Sequence, residues 1–365
     1  MTWFDNYQKD INFRQEKLNK GIATLIPFKS FPRLSQKVPG IIPGDTVIIT
    51  GGTGEGKSRF ARSLFKDTIS FCEESGLEVE IIINSLEEST EKFIVSSLSS
   101  ALYKKYKIKT NYFQLANYST KPMSQELLNQ INSCKEDVDS LQKYVSIVHI
   151  ANPYGFYVHV LKRLWDTGKF YLKNNQITSF EEVKKNSNNW DKYIPDNPNR
   201  IVIVCSDTID AYIAESGKTK YETVLDFSKF FTRKILGLQC NVISFFIQQQ
   251  SSDLERIQTN FKGQTVLEKL KPGLDTLLTC KATAQDASLV FGLFNPVKYG
   301  TTDYLGYERL DEFQDCDFRS IIILKTREGE KTVDNEVPVA AYFSRDEIVE
   351  LPKPFTKELN QFYNT

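Results

Sequence analysis

The chain has 365 residues, 40% of them hydrophobic and 25% charged, and its 46 basic side chains are balanced by 46 acidic ones. That length holds one large α/β domain with elaborations or two modest ones, and the composition excludes wholesale disorder, a collagen-like repeat and a disulfide-dense miniature fold. With zero net charge the molecule as a whole exerts no pull on nucleic acid, so any such site is local.

Six cysteines, Cys72, Cys134, Cys205, Cys240, Cys280 and Cys316, lack CxxC spacing and read as reduced core thiols. His149 and His159 are the only histidines, too few for a dedicated zinc site. No basic stretch followed by an apolar run opens the sequence, and no apolar segment approaches the ~20 residues that cross a bilayer. A cytoplasmic location without a membrane partner is the default expectation.

Residues 5–20 are polar and rich in helix formers, which predicts a short exposed helix. Residues 21–44 carry Pro27, Pro32, Pro39 and Pro43, a connector leading to a first strand at 46–50. A helix over 57–74, a stop at Gly76 and an apolar strand at 79–83 complete a βαβ unit. Helical periodicity follows at 90–104 and 124–141, then a strand at 144–149. Residues 153–199, polar and rich in Asn and Lys, read as an inserted helix and loop before a strand at 201–205. A helix at 223–236, a strand at 242–247, a long polar segment to about 279, and strands at 289–294 and 321–324 finish the pattern. Alternating strands and helices predict an α/β fold with a mostly parallel sheet covered on both faces. The expected layout is a helix and linker over 1–40, a core domain over 41–350 with an insertion near 153–199, and a tail over 351–365.

Gly51-Gly52-Thr53-Gly54-Glu55-Gly56-Lys57-Ser58 fits GxxxxGK[ST] at every fixed position and lies between a predicted strand and a predicted helix. Glycines let successive backbone N–H groups converge on phosphate oxygens, and the following helix N-terminus adds partial positive charge. In such a P-loop Lys57 reaches the β- and γ-phosphates of ATP, and Ser58 ligates Mg2+.

Further blocks carry a family resemblance. Strand 79–83 runs into Asn84-Ser85-Leu86-Glu87-Glu88-Ser89, and the apolar run 201–205 runs into Ser206-Asp207. Strand 242–247 ends in Gln248-Gln249-Gln250, and 321–324 leads into Lys325-Thr326-Arg327-Glu328-Gly329. In order and character these blocks, with 271–277 and 286–293 between them, resemble the RecA-like motor domain of hexameric DnaB-type replicative DNA helicases. The triple glutamine and Asn197-Pro198-Asn199-Arg200 look most like bacteriophage members. The resemblance spans roughly residues 40–343 and implies a RecA-like P-loop ATPase.

It further implies roles. Glu87 would polarise the attacking water, a placement that suits a carboxylate at the C-terminal end of a strand beside the phosphate loop. Asp207 would hold magnesium with Ser58. Thr208 stands where the family often has histidine or tyrosine, which puts in doubt only the sensing role of that position. Gln248 or Gln249 would couple nucleotide state to DNA, since an amide both donates and accepts. Lys325 and Arg327 would reach a neighbouring subunit's ATP. Single-stranded DNA would meet the loops at 215–221, with Lys218 and Lys220, and 251–271, with Arg256, Lys262, Lys269 and Lys271. The implied assembly is a hexameric ring of identical chains that unwinds duplex DNA, with a primase or helicase loader as a further partner, and the helix at 5–20 would pack on an adjacent subunit. Two alternatives stay open: a recombinase of the RecA or RadA type, which forms filaments, and a nucleotide-binding replication scaffold or loader that does not unwind.

Overall fold

The structure is a computed structural model that describes residues 2–118, 120–186, 189–255, 266–313, 315–327, 334–360 and 362. Helix α1 (Trp3–Asn19) opens it, capped by Thr2 and exposed along its length. After the short α2 (Pro32–Lys37) come β1 (Thr46–Gly51), α3 (Lys57–Glu74) and β2 (Glu78–Ser85). Helices α4 (Thr90–Tyr106), α5 (Tyr112–Leu115), α6 (Gln125–Ser133) and α7 (Lys135–Leu141) then lead to β3 (Val145–Val148). The helix expected over 124–141 is therefore two, broken at Cys134, which turns into a small core with Leu102, Leu115 and Leu127.

The insertion holds more order than its polar sequence indicates. Helix α8 (Pro153–Trp165) is followed by strands β4 (Gly168–Leu172) and β5 (Asn175–Gln176), helix α9 (Phe180–Lys185) and strand β6 (Lys192–Pro195). The three strands form an antiparallel sheet in the order β5-β4-β6. Phe170 anchors it, its ring 4.8 Å from Trp190 and 4.9 Å from Tyr193. A loop was expected here because the strands are short and β6 pairs with β4 from far along the chain, Pro195 opposite Gly168.

The main chain then forms β7 (Arg200–Asp207), helix α10 (Lys220–Asp226) continuing as a π-wound segment Phe227–Gly237, β8 (Ile243–Gln249), α11 (Thr283–Asp286), β9 (Leu289–Phe294) and β10 (Asp317–Thr326). Two strands not foreseen from the sequence, β11 (Glu336–Tyr342) and β12 (Glu347–Glu350), close the sheet. Its nine strands run β12-β11-β10-β9-β1-β8-β7-β2-β3. From β9 to β3 every pairing is parallel, and β10, β11 and β12 add an antiparallel flank.

All six residues of β1 are buried, as expected for a strand covered on both faces. Alternation sorts them. Val47 and Ile49 join Phe60 and Leu64 of α3 in one core, while Ile48 joins Phe156 and Tyr157 of α8 and Phe246 of β8 in the other. The fold is an α/β sandwich with β1 at its centre, and the phosphate motif leaves from the C-terminal end of that strand.

Candidate nucleotide site

Gly51 is the last residue of β1 and lies in register with Gln249 of β8 and Leu293 of β9. A Cβ at Gly51 would sit 2.7 Å from the Leu293 carbonyl oxygen, so the loop leaves the sheet where only glycine fits. Gly54 and Gly56 take φ values of 80° and 94°, the left-handed backbone that bends the loop into the first turn of α3. Glu55 turns inward, 2% exposed, and faces Arg319 of β10 at 3.5 Å. The loop is thus held from beneath by a buried ion pair.

Lys57 Nζ donates to the carbonyls of Gly51 at 3.1 Å and Gly52 at 2.8 Å, which places its ammonium inside the arch of the loop. Burial pulls this ammonium below its ordinary pKa, against the field of Glu87, Glu55, Asp207 and Asp210. Four carboxylates around one lysine make the loop rich in both signs of charge.

Asp207 ends β7, directly opposite Ser85 of β2. Its carboxylate accepts from the Ser58 hydroxyl, yet Oδ1 is buried without a hydrogen-bond partner. Burial is the main reason its pKa is pushed up to about 6. An unpartnered carboxylate oxygen beside a serine hydroxyl, at the mouth of a phosphate loop, is a hard-oxygen donor set that fits magnesium. The residues fit the ion that the motif implies.

Glu87 lies in the turn after β2, where Leu86 N–H donates to the Asp207 carbonyl at 2.6 Å. Gln249 Nε2 donates to Glu87 Oε1 at 2.8 Å, and the Gln249 backbone N–H donates to Asp210 Oδ2 at 2.6 Å. The ends of β1, β2, β7 and β8 therefore bring Lys57, Ser58, Glu87, Asp207 and Gln249 into one crevice. Gln248 is not with them. Its fully buried amide donates to the carbonyls of Leu278 and Cys280 and accepts from Thr283 Oγ1, on the other side of the sheet. Strand alternation corrects the expectation for Gln248: neighbouring side chains point to opposite faces.

Lys325 and Arg327 lie elsewhere. Thr326 is level with Leu289, which is level with Val47, four residues before Gly51 and so ~13 Å down the sheet. Lys325 Nζ donates to the carbonyls of Ala284 and Gln285, and Arg327 Nη2 to those of Gln285 and Asp286. Neither cation reaches the phosphate loop of its own chain.

Of the candidate DNA contacts, Arg256 and Lys262 lie outside the described residues. Lys218 is paired with Glu215 at 2.8 Å and Asp226 at 2.9 Å. Lys271 sits between Glu268 at 2.6 Å and Glu336 at 2.7 Å, its ammonium over the Tyr304 ring. Burial lowers the Lys271 pKa, but hydrogen bonds to Glu268, Glu336 and Tyr304 outweigh that and raise it. Both lysines are held by carboxylates, Lys271 half-buried and Lys218 exposed, as Lys220 and Lys269 are.

One cluster was missed. Asp346, 2% exposed in the β11–β12 turn, accepts from Arg59 and Arg62 and lies 3.5 Å from Lys66, all on α3. Arg62 also meets Glu88 at 3.0 Å. Burial opposes ionisation of Asp346, but Arg62, Lys66 and Arg59 hold it far below the ordinary carboxylate range. The available signal was the spacing: cations at 59, 62 and 66 share one helical face and call for an anion.

Comparison with solved structures agrees with this geometry. The chain matches a structure described as the ATPase domain of G40P with a TM-score of 0.64 and 16% identity, covering 95% of this chain and 98% of that one. The fold is RecA-like. A DnaB-like replicative helicase, described together with its interactions with primase, matches with a TM-score of 0.62 and 16% identity over 91% of this chain and 64% of that one. A KaiC-like protein, PH0186 of Pyrococcus horikoshii OT3, gives a TM-score of 0.43 at 14% identity. No protein-family model matches the sequence, and no curated protein does. No helix among the described residues is long and apolar enough to cross a membrane.

Proposed function

We propose that this RecA-like chain is an ATP-hydrolysing motor that assembles into a ring, hexameric by the resemblance, translocates on single-stranded DNA and unwinds duplex. The observation that carries the proposal is the division of labour across the sheet. Lys57, Ser58, Glu87, Asp207 and Gln249 meet at one end, while Lys325 and Arg327 sit at the other, ~13 Å away along the strands. A protomer holding its own binding groups but carrying its cations on a remote edge is built to be completed by a neighbour.

In this mechanism the loop N–H groups and Lys57 bind the triphosphate, and Ser58 and Asp207 would hold magnesium. The ion would draw off charge from the β- and γ-phosphates. Glu87 accepts a proton from the attacking water, and Gln249, bonded to that carboxylate, relays the state of the site toward the loop that follows β8. Lys325 and Arg327 stabilise the transferred phosphoryl of the adjoining subunit. Lys220, the first residue of α10, and Lys269, in the segments that follow β7 and β8, contact the DNA backbone without reading sequence. Primase and loader contacts belong to the same proposal, supported only by the likeness to a helicase described with primase.

Helix α1 takes part in assembly. Trp3, Phe4 and Tyr7 on it are 93%, 63% and 56% exposed, more apolar surface than a lone helix leaves in water without a partner. The function is tested by unwinding of a forked duplex with a single-stranded tail: ATP-dependent separation is expected, and normal ATP turnover without strand separation would sink the motor reading. Deletion of residues 1–20 should abolish ring assembly, and an unchanged oligomer after deletion would reject the role of α1.

A further inference from the structure

The turn that carries Glu87 is short, exposed at its tip and anchored to the sheet at few points. Inside it, the Ser85 hydroxyl donates to the Glu88 carbonyl at 2.7 Å. Toward the sheet centre, Leu86 N–H reaches Asp207. On the outer side stands His149, the residue after β3. Its ring spans the two ends of the turn: Nδ1 is 2.6 Å from the Ser85 carbonyl oxygen, and Nε2 is 3.0 Å from Thr90 Oγ1. A carbonyl only accepts, so Nδ1 carries the proton, and in the neutral ring Nε2 accepts from the Thr90 hydroxyl.

The ring is itself fixed. Asn84, fully buried in β2, donates to the Ile150 carbonyl at 2.9 Å and accepts from Ile150 N–H at 2.8 Å, which clamps the backbone next to His149 against the strand that feeds the turn. The path from a rigid strand through His149 to both ends of the turn is continuous, and Glu87, exposed and held at its carboxylate by Gln249 Nε2 at 2.8 Å, takes the rest of its aim from the backbone beneath it. Sub-ångström changes in such a placement matter for turnover, because misplacement by about 1 Å costs up to ~10²-fold in rate.

We propose that His149 is a positioning residue: by bracing Ser85 and Thr90 at either end of the turn, it holds Glu87 in the orientation that activates water at the phosphate loop. The inference rests on the reading of Glu87 as the general base. In this role His149 acts through the turn, by its ring contacts with Ser85 and Thr90.

The test is steady-state ATPase kinetics of the full chain with and without single-stranded DNA, alongside binding of a fluorescent ATP analogue. His149→Ala should lower kcat roughly ten- to a hundredfold with KM and analogue affinity within about twofold. His149→Asn keeps a donor near the Ser85 carbonyl and His149→Gln keeps a polar atom near Thr90, so each should retain more of the rate than His149→Ala. Thr90→Val should lower kcat less, and adding it to His149→Ala should cause little further loss, since both remove the same brace. A His149→Ala enzyme with kcat within twofold of the parent, or one that loses analogue binding in parallel with rate, overturns the positioning role. Glu87→Gln separates the two readings: if it retains normal kcat, the assignment of the base fails, and if it is inactive while His149→Ala is normal, only the role of His149 fails.

Discussion

The two ends of the parallel sheet handle charge in opposite ways. At the C-terminal ends of β1, β2, β7 and β8, charged and polar groups converge on an arch of backbone, and one of them, Asp207 Oδ1, is buried without a partner. At the other end Lys325 and Arg327 are engaged by the carbonyls of residues 284–286, three acceptors without formal charge. A carbonyl holds a cation in place without neutralising it, so these two retain their charge for a stronger anion. On the proposed function, the first end receives a ligand, and the second is presented to one bound elsewhere.

The sharpest break of that comparison is genetic. Arg327→Ala should lower ATP turnover by ~10³ to 10⁵ if it acts on the adjoining subunit's phosphate, while binding of a fluorescent ATP analogue stays within a few-fold. Lys57→Ala should cost on the order of 10² to 10³ in turnover and weaken nucleotide binding as well. Mixed together, the two inactive proteins should regain part of the activity, because an Arg327→Ala subunit keeps its loop and receives Arg327 from a Lys57→Ala neighbour. Absence of recovery in mixtures shown to co-assemble would place both residues in one protomer's site and erase the distinction between the two ends.

The receiving end was legible in the sequence because its main parts are local. An apolar strand, four glycines within six residues and a Lys-Ser pair are contiguous, and the physics of phosphate binding dictates their order. Glu87, Asp207 and Gln249 were legible through the ends of apolar strands, but which glutamine faces the crevice depends on the sheet order. Nothing local marked Asp346, whose partners lie 284 and 287 residues away. The strand over Glu336–Tyr342 carries Pro338 near its start, just beyond the last pair with β12 at Val339 and Glu350, an edge position that tolerates proline. Lys271 looked free since Glu336, one of its two partners, is 65 residues downstream.

A smaller effect tests the unpartnered carboxylate. The Asp207 pKa is raised from 3.8 to about 6 by burial, so the native state holds this proton more tightly than the unfolded chain does. Between these values each rise in pH favours the unfolded state, and above about 6 the full cost of the buried charge is present. Asp207→Asn should therefore stabilise the nucleotide-free protein at pH 7 by roughly 1–3 kcal/mol, with the gain shrinking as pH falls from 6 toward 4. Urea melts at several pH values measure it, and an Asn variant less stable than the parent at pH 7 would show that the carboxylate is satisfied after all. Magnesium-dependent nucleotide binding should weaken in the same variant, the trade of stability for function expected of a ligand site.

The smallest effects separate lysines that look alike in sequence. Lys271 is an internal cation: its removal leaves Glu336, 7% exposed, with only the hydroxyls of Tyr304 and Ser320, so Lys271→Ala should destabilise the fold by roughly 1–3 kcal/mol. Lys220 and Lys269 are exposed, and their replacement by Ala should leave the melting midpoint nearly unchanged. If those two touch the DNA backbone, each substitution weakens single-strand binding a few-fold and lowers the slope of log affinity against log salt by about 0.7. The slope is the decisive quantity, because a fold defect lowers affinity at every salt concentration without changing the number of counterions released. An unchanged slope in the Lys220→Ala, Lys269→Ala double variant would move the DNA path away from the loops after β7 and β8.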